Sequence, residues 1–132
     1  YTKEEMKMID ETRKILSEPD LRVTATTVRV PVYRSHAESV NIEFAEAVSV
    51  EAARKAIAVF PGAALNDDPD EQAYPMPIFT SGKDDVEVGR IRLDESVEYG
   101  LNLWVCGDQI RKGAALNALQ IAEYMIEHEM IG

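Results

Sequence analysis

The stretch Arg29-Val30-Pro31-Val32-Tyr33-Arg34-Ser35-His36 concentrates side chains that can bind an acid and move a proton. Arg29 closes an apolar, Thr-rich run, and its planar guanidinium can hold a carboxylate by two parallel bonds. His36 is one of two histidines, the residue type that most often serves as a general acid or base. The two lie seven positions apart, an odd number, so on one straight strand they would face opposite ways. Only a bend through Pro31 to Ser35 would aim both at one pocket. The same residues also read as a strand-edge charge and a turn imidazole, and spacing alone does not separate these readings.

A second candidate pair lies near the start of the chain. Glu4 and Lys7 are three apart and share a helical face. A carboxylate there can take an ammonium group, and Lys7 can take a phosphate with help from the positive end of the helix dipole. The plainer reading is a solvated salt bridge. Arg90 and Arg92 share one strand face and suit pairing with acids across a sheet. His128, between Glu127 and Glu129, reads as a helix-end residue. Cys106 is the only cysteine and ends the apolar run that starts at Leu101, which suits a buried small hydrophobe. One cysteine and two histidines leave no metal-ligand spacing, and the usage fits a reducing cytoplasm.

These residues need elements to position them. Thr2 and Glu5 form a capping-box pattern ahead of a helix over Lys3 to Leu16, broken by Glu18-Pro19-Asp20. Leu21 to Val30 is rich in β-branched residues and is expected to be a strand. Ser39 to Phe44 alternates apolar and polar residues and is a second expected strand. Ser49 caps a helix over Val50 to Val59, which Pro61-Gly62 stops. Asn66 to Lys83 holds three of the six prolines and reads as a long surface excursion, with one short strand around Pro77 to Thr80. Val86 to Leu93 and Leu101 to Cys106 are strands joined by a turn near Glu98-Tyr99-Gly100. A helix is expected over Arg111 to Glu129. The strands follow one another in hairpin-like order, which predicts an α+β fold: a mixed, largely antiparallel sheet with helices packed on one face.

Composition narrows the function classes. The 132 residues are 45% hydrophobic and 29% charged, an ordinary globular balance. The net charge of −10 repels phosphate backbones, so nucleic acid is not an expected partner. The apolar runs are too short to cross a bilayer, so no membrane role is expected, and no signal-peptide pattern opens the chain. It begins with Tyr1 rather than Met, which fits a piece of a longer protein. No strand leads into a Gly-rich phosphate loop, so no dinucleotide site of the Rossmann kind is expected.

The segments Tyr1 to Met8, Thr24 to Ser39, Val88-Gly89-Arg90-Ile91-Arg92, Gly100 to Val105, Arg111 to Ala115 and Asn117 to Glu123 resemble aspartate-β-semialdehyde dehydrogenases, in the family's order over essentially the whole chain. The resemblance implies a second domain like the C-terminal domain of glyceraldehyde-3-phosphate dehydrogenase. It would be catalytic and dimerising over residues 1–132, with an N-terminal NADP-binding domain absent from this chain. It implies NADPH-dependent reductive dephosphorylation of L-aspartyl-4-phosphate to aspartate semialdehyde and phosphate, in the biosynthesis of lysine, threonine, methionine and diaminopimelate. A thiolate attacks the acyl phosphate, hydride reduces the resulting thioester, and the thiohemiacetal collapses.

Carried over by motif, His36 is the acid/base residue and Arg29 binds the substrate carboxylate. Glu4 helps hold the amino group, Lys7 contacts phosphate, and Gln109 lies near the nicotinamide. The nucleophilic cysteine belongs to a segment that is not in this sequence. The implied assembly is a cytoplasmic homodimer, with pairing into tetramers left open. Two alternatives are a reductase of N-acetyl-γ-glutamyl phosphate, which the charge of Glu4 disfavours, and an isolated dimerisation module.

Overall fold

The first helix, α1 (Lys3–Leu16), starts where the sequence signals it. The Thr2 hydroxyl accepts the Glu5 N–H, and the Glu5 carboxylate accepts the Thr2 N–H, so two orphan donors are satisfied reciprocally. At the other end Ser17 turns left-handed (φ 57°). Its N–H reaches the Lys14 carbonyl, and the Glu18 N–H reaches the Arg13 carbonyl. That is a Schellman closure built on serine instead of glycine.

The structure is a computed structural model that describes residues 1–131. It divides the chain into two units, Tyr1–Pro31 and Val32 onward. In the first unit the expected strand over 21–30 does not form; these residues join no ladder. Their β-branched side chains favour extension, but extension becomes a strand only beside a partner edge. The segment is fastened to α1 by side chains. Glu5 accepts the Thr27 N–H at 2.9 Å, the Arg13 guanidinium donates to the Leu21 carbonyl at 3.0 Å, and the Tyr1 and Thr24 hydroxyls meet at 3.0 Å.

The second unit carries a four-stranded sheet. Its strands are β1 (His36–Glu43), β2 (Ala63–Leu65), β3 (Val86–Leu93) and β4 (Gly100–Gly107). The order is β1-β4-β3-β2, with β1·β4 and β3·β4 antiparallel and β2·β3 parallel. The α+β class and the mixed, largely antiparallel sheet are as expected. The helix α2 (Val50–Val59), capped by Ser49, lies against β2 and β3.

Three local readings change. Pro77–Thr80 is a short helix, α3, against β4 and not a strand, because Pro77 presets the first turn and Thr80 bonds back along it. β2 is too short to announce itself by alternation. The last helix begins as a π-turn over Arg111–Ala115 and continues as α4 (Leu116–Glu127).

The core lies where β3 meets β4, with Val88, Ile91, Leu101 and Cys106 all buried. The register puts Val40, Ile42, Leu101, Leu103 and Val105 on one face and Ser39, Asn41, Asn102 and Trp104 on the other. Trp104 donates its indole N–H to the Pro75 carbonyl at 3.0 Å, holding the 66–85 excursion on the sheet. A Cβ on Gly89 would fall 2.0 Å from the Asn66 carbonyl oxygen, so this crossing of backbones needs glycine.

The β3 ladder slips between Gly89 and Arg92, and Arg90 adopts φ 54° at the bulge. The two N–H groups freed there, of Arg90 and Ile91, both point at the Asp67 carboxylate (2.6 and 3.3 Å). Asp67 also takes the Arg54 guanidinium from α2 at 2.8 Å, and its side chain is only 3% exposed. One carboxylate thus joins helix, loop and bulge. Replacing Asp67 with Ala strands two bulge donors and a half-covered cation, and is expected to cost about 2–3 kcal/mol in urea unfolding, with Asp67→Asn losing less.

Glu5 yields a prediction for acid. The N–H of Thr2, then that of Thr27, stabilise its carboxylate and hold the pKa below the ordinary value of 4.5. Stability from a lowered carboxyl is present above the unfolded value and is lost as pH falls through the lower folded one. The Thr27 amide resonance should therefore titrate with a midpoint under 4.5, and Glu5→Gln should remove that transition. A midpoint at or above 4.5 would contradict the clamp.

Candidate active site around His36

His36 is the first residue of β1, opposite Gly107 at the end of β4, and its side chain is exposed. Its orientation is set by the residue before it. Ser35 is 4% exposed and adopts φ 79°, a left-handed conformation that costs a non-glycine residue roughly 1–2 kcal/mol. Three side chains hold it there. Gln109 Oε1 accepts the Ser35 N–H at 2.8 Å. Thr80, fully buried at the end of α3, donates its hydroxyl to Ser35 Oγ at 3.1 Å, and the Ser35 and Ser81 hydroxyls meet at 3.2 Å. The backbone therefore turns at Ser35, immediately before β1, and Ser35 is the pivot of that turn.

Asp108, next to Gln109, fixes the residue on the other side of that pivot. Its carboxylate lies 2.6 Å from Arg34 Nε, a charge contact without an aligned hydrogen bond. It also accepts the N–H groups of Gly82 (2.7 Å) and Ile110 (3.0 Å). Burial alone would push this carboxyl up in pKa; the Gly82 and Ile110 donors and the Arg34 charge outweigh it and hold it below the usual range. The Asp108 carbonyl starts the π-turn by accepting from Arg111 and Lys112. The dipeptide Asp108-Gln109 thus grips Arg34-Ser35, leaving the His36 imidazole free at the strand mouth.

The other candidates fall in the first unit. Glu4 and Lys7 stand 3.6 Å apart on α1, more than half exposed, as the solvated pair that their spacing allows. Arg29 is exposed on the segment that Glu5 ties to α1 through Thr27. Val23, Ala25 and Thr27 are half covered in alternation, and Arg29 continues that phase into solvent. The first unit thus holds Glu4 and Lys7 on α1 and Arg29 on the extended segment that side chains fasten to it. His36 and Gln109 come together in the second unit; Glu4, Lys7 and Arg29 belong to the first.

Cys106 is 1% exposed, and burial pushes its thiol up to about 11. It cannot supply a thiolate near neutral pH. Among the described residues no cluster of His, Cys, Asp and Glu could hold a metal, and no helix is long and apolar enough to cross a membrane. Sequence reasoning missed Ser35, Thr80 and Asp108. Asp108 carried a readable signal, an aspartate just before a helix. Ser35 and Thr80 carried none, since their partners lie 45 or more positions away.

The chain is similar to known proteins in sequence and in fold. The family described as semialdehyde dehydrogenase, dimerisation domain, matches residues 1–112. Aspartate-semialdehyde dehydrogenase of a Synechocystis strain is 59% identical over 96% of this chain, and that of Bacillus subtilis 52% over 93%. The chain spans 38% and 36% of those two proteins. The crystal structure of aspartate semialdehyde dehydrogenase II from Vibrio cholerae superposes with a TM-score of 0.90 at 44% identity, covering 96% of this chain and 37% of that one. A match over 112 residues that takes in α1, the segment of Arg29, the locked turn at Ser35, the sheet and Gln109 leaves one assignment: the chain belongs to the semialdehyde dehydrogenase dimerisation-domain family.

Proposed function

We propose that this chain is the catalytic and dimerisation domain of a cytoplasmic aspartate-semialdehyde dehydrogenase, acting in the route to lysine, threonine and methionine. The reaction is NADPH-dependent reductive dephosphorylation of L-aspartyl-4-phosphate. The observation that carries the reading is an exposed imidazole set directly after a backbone residue that three side chains lock in place. Such pre-set orientation is what an acid/base group needs.

Each residue has a task on this reading. His36 takes the proton that leaves the attacking thiol and returns it when the aldehyde is released. Arg29 holds the substrate α-carboxylate, Glu4 its ammonium group, and Lys7 the phosphate. The thiol itself comes from outside these 132 residues, because Cys106 is buried and its pKa is high. No described strand leads into a Gly-rich phosphate loop, so these residues offer NADP no cradle and the other domain binds it.

A homodimer fits the apolar surface that the sheet leaves uncovered. Val88, Ile91 and Leu101 are buried within the chain, and Trp104 is tied to Pro75. What stays uncovered on that sheet face is Leu93 at its end, 60% exposed, beside half-covered Val40, Ile42, Leu103 and Val105. A partner sheet laid on this face forms a two-fold contact.

In the full-length dehydrogenase, His36→Ala should lower kcat by about 10²–10⁴-fold, while Arg29→Lys, which keeps charge but loses the fork, should chiefly raise KM for the semialdehyde. Wild-type kcat in His36→Ala would end the acid/base assignment. Sedimentation at micromolar concentration should give a dimer whose interface buries more than about 1,000 Å², weakened by Leu103→Glu. A monomer at that concentration would remove the sheet face from consideration.

A further inference from the structure

We propose that Gln109 is a positioning residue for His36, acting through the backbone of Ser35. The proposal rests on the acid/base reading of His36. It differs from a nucleotide contact, the role that the family resemblance suggests for this glutamine. Its basis is an occupied atom: Gln109 Oε1 is already committed to the Ser35 N–H at 2.8 Å, across 74 positions of sequence. That N–H belongs to a buried residue at φ 79°, outside any helix or ladder, so losing its acceptor leaves an unsatisfied donor on a strained pivot. The hydroxyl of the same residue is held separately by Thr80 and Ser81. Gln109 therefore holds the N–H side of the peptide between Arg34 and Ser35 by a short bond, against a longer 3.4 Å contact from the Ser81 hydroxyl to the Arg34 carbonyl on its other side, and through that peptide it bears on the direction in which the chain enters β1 at His36.

Gln109 is well placed for this. Asp108 beside it is anchored by Gly82, Ile110 and Arg34, so the glutamine reaches Ser35 from a fixed base. Small errors of direction at an acid/base group cost rate and leave binding intact.

The test uses the full-length dehydrogenase. Gln109→Met keeps length and removes the acceptor; Gln109→Glu restores an acceptor without the amide NH₂. Amide exchange in a peptide spanning residues 34–38, followed by mass spectrometry, should quicken about tenfold in Gln109→Met and return towards wild type in Gln109→Glu, on the scale of one hydrogen bond. In step, kcat should fall about tenfold in Gln109→Met with KM for the semialdehyde and for NADP little changed, and recover in Gln109→Glu. Unchanged exchange in Gln109→Met overturns the proposal, as does a raised KM for NADP that Gln109→Glu fails to rescue. A His36→Ala enzyme with wild-type kcat would instead refute the acid/base reading, while the exchange data would still report on the contact to Ser35.

Discussion

A backbone N–H that falls outside a helix or a ladder must find an acceptor or be left unsatisfied where it is buried, and in this chain that need organises the regions between elements. Glu5 takes Thr2 and Thr27, Asp67 takes Arg90 and Ile91, Asp108 takes Gly82 and Ile110, and Gln109 takes Ser35. The segments so joined include a helix and a strandless extension, a loop and a bulge, and two ends of neighbouring strands. The sheet fixes a platform; these acceptors fix how the chain enters and leaves it. His36 stands at one such entrance, which is why its setting depends on side chains far away in sequence.

The same acceptors bear on charge. A formal charge of −10 does not describe a uniformly acidic exterior, since Asp67 and Asp108 are 3% and 0% exposed and face Arg54 and Arg34. Arg29, by contrast, remains exposed. An acidic protein can therefore present a cation to an anionic ligand without contradicting its overall balance.

Local signals made the helices legible. The Thr2–Glu5 box and the Ser49 cap set α1 and α2 at their observed limits, because caps act within one turn of the residues that announce them. The central strands were legible as apolar stretches on either side of the turn near Glu98-Tyr99-Gly100. Residues 21–30 were misread because β-propensity describes a side chain's fit to a pleated surface and says nothing about whether a partner edge exists. Among the candidate residues, His36 and Arg29 stood out by residue type alone. The Ser35 pivot did not, because serine in a left-handed conformation has no composition signature and its three holders come from α3, the turn after it and the end of β4.

The burial of Cys106 has a practical consequence for chemical labelling. With its pKa near 11, on the order of one thiol in ten thousand is ionised at neutral pH, and only 1% of the residue is exposed. An alkylating reagent such as iodoacetamide should pass this cysteine by while the fold is intact. In any longer protein that contains this domain, rapid modification under native conditions therefore reports on cysteines elsewhere, and slow uptake at Cys106 becomes a clock for opening of the sheet.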